Sequence, residues 1–160
     1  KIPANDWHPF ISNAFVKTKK KINAEQVQQM IDLMDCHPYY IQQLCYLVWI
    51  RCKRVVKDED ILVSADDLIN QNANLYEREV EAMSNSKIAI IKAIASGVHT
   101  GLSTASVISE FRLGSSANVT KTIKALDLDE IIDKRNGEYH LIDPAFELWF
   151  RKRFLGKRII

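Results

Sequence analysis

Residues 103–143 read STASVISEFRLGSSANVTKTIKALDLDEIIDKRNGEYHLID, and the order of signals in this stretch decides the fold. Ser103 stands as a helix cap ahead of Val107, Ile108 and Phe111, whose spacing makes one apolar helical face. Leu113–Gly114–Ser115–Ser116 predicts a tight turn, and the helix after it turns Val119, Ile123 and Leu126 inward, with Leu128 at its margin. Two short extended runs, Ile131–Asp133 and Tyr139–Ile142, flank Arg135–Asn136–Gly137. Asn-Gly supplies the positive-φ pair that a two-residue hairpin turn requires. Upstream, Ser84 caps a helix carrying Ile88, Ile91, Ile94 and Ala95, and 97–101 forms a loop. Downstream, Asp143–Pro144 starts a last helix with Phe146, Leu148, Trp149 and Phe150. Helix, helix, turn, helix and β-hairpin follow one another as in a winged helix, where the helix after the turn is the one offered to a DNA major groove. The fold does not by itself establish that use.

The first half has a different texture. Trp7, Phe10, Ile11, Ala14 and Phe15 predict an amphipathic helix with Pro9 near its first turn. Lys17 to Lys21 is a charged connection, and Asn23 caps a second helix through Val27, Met30, Ile31 and Met34. The Cys36–His37–Pro38 step ends it, because a residue before proline is pushed out of the α region. Tyr39, Ile41, Leu44, Cys45, Leu47, Val48 and Cys52 cover more than one face of the next helix, which predicts a central place in a bundle. Lys57 to Asp60 reads as a polar loop, and Ser64 to Asp67 as a capping box opening a helix that runs to about Met83. The predicted class is mainly α: a helical bundle, then a winged helix with a small β-hairpin.

With 47% apolar and 26% charged residues, the 160-residue chain falls in the ordinary globular range. No apolar run approaches the roughly 20 residues that span a bilayer, and the start lacks the apolar segment of a signal peptide. The expectation is a soluble cytoplasmic protein with no membrane contact. The net charge of +2 hides an asymmetry, since residues 1–83 carry 10 basic and 12 acidic side chains while 84–160 carry 12 and 8. The basic end, Arg151, Lys152, Arg153, Lys157 and Arg158, suits either nucleic acid or the solvated last turn of a helix. Cys36, Cys45 and Cys52 form no C-x-x-C pair and read as free thiols of a reducing compartment. A zinc site on Cys36 and His37 lacks two further ligands at sensible spacing, so no metal site is expected. His8, His37, His99 and His140 fall on different predicted elements and make no catalytic triad.

Candidate DNA-contacting residues are Ser115, Ser116, Asn118, Thr120, Lys121, Thr122 and Lys124 on the helix after the turn, with Lys134 and Arg135 on the wing. Hydroxyl and amide groups bond phosphates or base edges, and lysines pair with phosphates. Two lysines on the helix and the wing pair neutralise only about four phosphates, and Asp127, Asp129, Glu130 and Asp133 next door count against DNA contact. Packing or protein contact is the alternative use of the same face. Phe146, Trp149, Phe150 and Phe154 space as a core stripe, and any part left uncovered, like Trp7 and Phe10, favours self-association.

Three motifs then carry a resemblance. Cys36–His37–Pro38–Tyr39–Tyr40–Ile41–Gln42–Gln43–Leu44 resembles the G-H-P-Y-Y-x-Q-x-L segment of archaeal-type P-loop ATPases, a branch of the AAA+/STAND class also found in bacteria. Residues 113–119 resemble that family's L-x-S-x-S-x-V helix, and 126–132 the segment after it, with Glu130 and Ile131 in place of D-I. Residues 139–149, YHLIDPAFELW, resemble its Y-x-L-x-D-P-x-F-x-x-W ending. The resemblance implies a nucleotide-binding α/β domain first, then a helical lid (1–82 here) and a winged helix (84–160). This sequence contains no G-x-x-x-x-G-K-[ST] phosphate loop, so the chain is expected to be a C-terminal portion without catalysis of its own. The resemblance places ATP with magnesium in a full-length ATPase, with a P-loop domain as the partner this chain lacks. It gives His37 and Pro38 a nucleotide-sensing role at a helix N-terminus, with no tight nucleotide binding by this portion alone. The family has Gly where Cys36 stands. ATP state would then be coupled to binding of double-stranded DNA or of a protein. The rival readings are a transcription-regulator-like DNA-binding module and a non-catalytic protein-interaction adaptor.

Overall fold

The computed structural model describes residues 2–157, so Lys1, Arg158, Ile159 and Ile160 lie outside the described residues. The basic end is therefore described as far as Lys157. The chain divides between Asn72 and Ala73 into two compact units. This falls ten residues before the boundary that the motifs suggest, and the reason is visible in the helix that follows it.

The first unit contains α1 (Ala4–Lys17), α2 (Ala24–Leu33), α3 (Pro38–Arg51) and α4 (Asp58–Gln71). α1 buries Trp7, Ile11 and Phe15, spaced by four, while Phe10 stays 57% exposed with its ring edge on Trp7 at 5.6 Å. Phe10 and Ala14 were expected inside, but they fall on the flank of that stripe. α2 buries Val27, Met30 and Ile31, with Met34 just past its end, as its pattern predicts. Asn23 and Gln26 form a reciprocal capping box at its start: Gln26 N donates to Asn23 Oδ1 at 2.8 Å and Asn23 N to Gln26 Oε1 at 3.2 Å. The Gln26 amide is itself buried and donates to Val56 O and Asp58 Oδ1, which ties the start of α2 to the start of α4.

α3 is less central than its composition suggests. Ile41, Leu44 and Val48 are buried, but Tyr39, Tyr46, Trp49 and Ile50 are exposed. Its C-terminal carbonyls are satisfied from outside the helix. The Lys20 ammonium donates to Trp49 O and Cys52 O and lies 4.4 Å from the Trp49 ring centroid. Trp49 Nε1 donates to Thr18 Oγ1 at 2.9 Å. Thus the charged connection after α1 serves as the C-terminal cap of α3.

α4 begins at Asp58, not at Ser64. Asp58, Glu59 and Asp60 place negative charge at the helix N-terminus, and Lys57 N donates to Asp60 Oδ2. Ser64 is buried inside the helix and accepts a bond from Arg51 Nε. The expected single helix to Met83 is broken at Asn72, the C-cap of α4.

The second unit starts with α5 (Ala73–Glu81), followed by α6 (Asn85–Ala95), α7 (Ala105–Phe111) and α8 (Ser116–Leu128). The antiparallel hairpin β1 (Ile132–Arg135) and β2 (Glu138–Leu141) comes next, and α9 (Pro144–Leu155) closes the unit. α5 belongs here because Tyr76 packs on Phe146 and Trp149 at 5.4 and 5.5 Å. The predicted caps at Ser84 and Asp143 are in place, and Ser115, the third residue of the expected turn, caps α8: each side chain accepts from a backbone N–H of the first turn. Thr104, not Ser103, holds the N-cap position of α7, its hydroxyl donating to Gly101 O and not accepting from the helix backbone, and Val107, Ile108 and Phe111 are half-buried. Leu128 is 74% exposed. Asn136 and Gly137 both have positive φ, at 50° and 91°, as the Asn-Gly hairpin demands. Tyr139 N donates to His99 O, which pins β2 to the loop after α6. α9 buries Phe146, Trp149 and Phe150, and Arg151 Nε donates to Ala95 O at the C-terminus of α6. Arg151 also pairs with Glu147, so this member of the basic end is committed to packing. No helix among the described residues is long and apolar enough to cross a membrane.

Candidate functional site

Two places carry the residues that the sequence singles out. The first is the corner between α2 and α3. Asp35 and Cys36 both have positive φ, at 44° and 55°. A left-handed residue after a helix lets its last carbonyls find donors, and here Cys36 N donates to Ile31 O and His37 N to Met34 O. Neither residue is glycine, so the turn costs about 1–2 kcal/mol per residue in backbone sterics. His37 is extended (φ −78°, ψ 116°), as a residue before proline must be, and Pro38 is the first residue of α3. The His37 ring tilts onto Tyr40 with centroids 4.9 Å apart. Its Nδ1 atom is buried and has no hydrogen-bond partner among the described residues. The corner as a whole lies at the surface: His37 and Pro38 are half-buried, and Tyr39 is 58% exposed.

The three thiols divide by environment. Cys52 is buried; Cys45 is half-buried by surface exposure, and desolvation pushes its thiol up to about 12, so it stays protonated. Cys36 is half-buried in the strained corner. Among the described residues no group of three or more His, Cys, Asp or Glu side chains could hold a metal ion.

The second place is α8 with the hairpin. Ser116, Thr120, Lys121 and Lys124 are exposed along one side of α8. The other candidates are spent on the fold. Ser115 Oγ accepts from Asn118 N, and Asn118 Nδ2 donates to Leu113 O, which closes the turn before α8. Thr122 is 7% exposed and donates to Asn118 O, so it faces the core and cannot reach a ligand. On the wing, Lys134 is exposed with its ammonium 5.2 Å from the Tyr139 ring centroid, its cross-strand partner. Arg135 is half-buried, paired with Asp133 at 2.7 Å and opposite Glu138. The candidate set thus contracts to Ser116, Thr120, Lys121, Lys124 and Lys134. Tyr139, legible in the sequence only as the start of the second extended run and of a motif, holds the wing to His99 and seats Lys134; the hairpin register reveals that pairing.

Residues 74–152 match a family model described as "Probable winged helix domain". This part of the chain is a winged helix. The match begins one residue after the division between the units, in agreement with α5 belonging to the second. No curated protein matches the sequence. Among solved structures, a Walker-type ATPase of Pyrococcus abyssi aligns over 94% of this chain at a TM-score of 0.71 and 15% identity. At that identity the likeness is one of fold, and it runs through both the helical unit and the winged helix. The chain spans 42% of the length of that structure.

Proposed function

We propose that this chain is the lid and winged helix of a P-loop ATPase, and that its His37–Pro38 corner senses the bound nucleotide. The observation that carries the reading is the extent of the fold likeness. A winged helix alone recurs in many unrelated proteins, but here the fold likeness to a Walker-type ATPase extends over 94% of the chain and so takes in both units. The corner supports it. Pro38 fixes the start of α3, whose N-terminal N–H groups carry partial positive charge and favour phosphate. His37 Nδ1 is a buried polar atom without a protein partner, and such an atom gains most from a ligand. The chain offers one wall of a nucleotide site and no phosphate loop, so ATP and magnesium would be held chiefly by the P-loop domain. What ATP supplies is a phosphoryl group to cleave; what this chain supplies is a contact that differs before and after cleavage.

The test uses the longer protein in which this chain is joined to a P-loop domain. His37→Ala should raise the KM for ATP about tenfold, the loss of roughly 1.4 kcal/mol of contact, with thermal stability little changed. An unchanged KM and an unchanged ATP affinity would refute the sensing role.

A second reading concerns the winged helix, and the exposed lysines Lys121 and Lys124 of α8 and Lys134 of the wing favour it. Three ammonium groups with no arginine on α8 suit phosphate contact without base readout. Binding to random duplex DNA, followed by fluorescence anisotropy, should then weaken with salt at a log–log slope of about −2.7. Lys121→Ala should reduce that slope by about 0.9. Absence of binding at 50 mM salt would leave the winged helix as a protein-contact element.

A further inference from the structure

The second unit holds a cleft of about 460 Å³ that none of the readings above uses. Its apolar wall is Met83, Ile131 and Phe146. Around that wall stand four carboxylates, Glu79, Asp129, Glu130 and Asp143, and one cation, Lys87. They arrive from the ends of α5 and α8 and from the starts of α6 and α9. The concentration of acid is local. Residues 84–160 carry only 8 acidic side chains against 12 basic, yet three of those eight line this one cleft.

The four carboxylates are not equivalent. Asp129 is paired with Lys87. Asp143 accepts from Ala145 N and Phe146 N and from the Tyr76 hydroxyl, and so belongs to the start of α9. That leaves Glu79 and Glu130, which pair with no cation among the described residues. Burial, and secondarily the charge of Asp143, hold the Glu79 carboxyl above the usual carboxylate range. Both glutamates stand exposed at the rim of the cleft, where a carboxylate beside apolar wall attracts an incoming cation.

We propose that this cleft docks a basic segment of another protein, with an arginine or lysine stem lying on Met83, Ile131 and Phe146 and its cation between Glu79 and Glu130. The combination of wall and charge selects this occupant. A nucleic acid is repelled by the carboxylates, and an apolar ligand leaves them uncompensated. A basic side chain matches both parts, because its methylene stem covers apolar surface while its head stays polar. Arginine suits the site best, since its guanidinium is weakly hydrated and pairs with carboxylates in a fixed fork.

The test uses the full 160-residue chain and two fluorescein-labelled peptides, one containing Arg-Leu-Arg and one with glutamates in place of the arginines. Anisotropy should show salt-sensitive binding of the basic peptide and none of the acidic one. Glu79→Gln combined with Glu130→Gln should weaken binding at least tenfold. Lys87→Met removes the one competing cation and should tighten it about threefold. These opposite changes cannot both come from misfolding. Equal binding of the two peptides, or affinity indifferent to the glutamate substitutions, overturns the proposal. So does sedimentation showing that the chain self-associates through this cleft, since the occupant would then be a second copy.

Discussion

Phe150→Ala is expected to lower the stability of the winged helix by about 3–5 kcal/mol, enough to bring a domain of ordinary stability close to unfolding at 25 °C. Phe150 is fully buried on α9, with Phe146 at 5.7 Å and Phe154 at 4.6 Å between ring centroids. Truncation removes the transfer free energy of a whole ring and leaves a cavity that the neighbouring rings cannot fill without leaving their rotamers. For a unit of this size the midpoint should fall by more than 10 °C, since each kcal/mol moves it about 4–8 °C. Phe154→Ala is the control. It lies on the same stripe four residues on, but its side chain is 38% exposed and flanked by Lys92 and Arg153. Its loss should cost about 1 kcal/mol. Urea unfolding followed by near-UV circular dichroism distinguishes the two. Equal losses for both variants would mean that α9 does not pack as described.

That contrast marks what periodicity can and cannot give. The stripe Phe146, Trp149, Phe150 and Phe154 was legible as core, but its grading from buried to exposed depends on which elements lie over it. The winged helix as a whole was readable because its signals are local. Ser115, Asn136–Gly137 and Asp143–Pro144 each act on their own backbone within three residues, so no tertiary contact is needed to predict them. The first unit was harder. Asp58 to Asp60 looks like a solvated loop and is in fact the acidic first turn of α4. Ser64 and Asp67 match a capping pattern yet sit inside that helix, where Ser64 is buried under Arg51. The break at Asn72 leaves little trace in periodicity, because α5 is drawn to the second unit by Tyr76 packing edge-on and tilted against aromatic residues some 70 positions later.

The candidate residues divide on the same principle. The backbone shape of the His37–Pro38 corner follows from sequence because a residue before proline is locally constrained, whereas its proposed role comes from the resemblance alone. Cys36 takes positive φ where the resembling family carries glycine, so the turn is kept and the strain is borne. Thr122 turns to the core and Arg135 pairs with Asp133, because composition does not tell which face of a helix meets the core or which charge a strand residue will find. Glu79, Glu130 and their cleft were out of reach of sequence reasoning altogether, since four separate elements supply its walls.

The buried amide of Gln26 is where the first unit is most sensitive to a change of one atom. Gln26→Glu keeps the shape and removes the donors. The introduced carboxylate would face Val56 O and Asp58 Oδ1 at the 3.0 and 2.9 Å now spanned by N–H bonds. A buried charge without a partner, beside a second carboxylate, should cost about 3–5 kcal/mol near pH 7. Gln26→Ala should cost less, about 2 kcal/mol, because it loses the capping box and one buried acceptor's partner but adds no charge. The pH dependence separates them. The introduced carboxyl is held above its unfolded value, so the folded variant binds the extra proton first and stability falls as pH rises through the carboxylate range. Lowering the pH restores a donor, and the deficit of Gln26→Glu should shrink towards about 1 kcal/mol while that of Gln26→Ala stays put. Thermal melts of both variants and the parent at pH 4 and pH 7 provide the comparison. Parallel behaviour of the two variants would show that the Gln26 amide does not bridge α2 to α4. α2 leads at its other end, about 10 Å from Gln26 along the helix axis, into the His37–Pro38 corner.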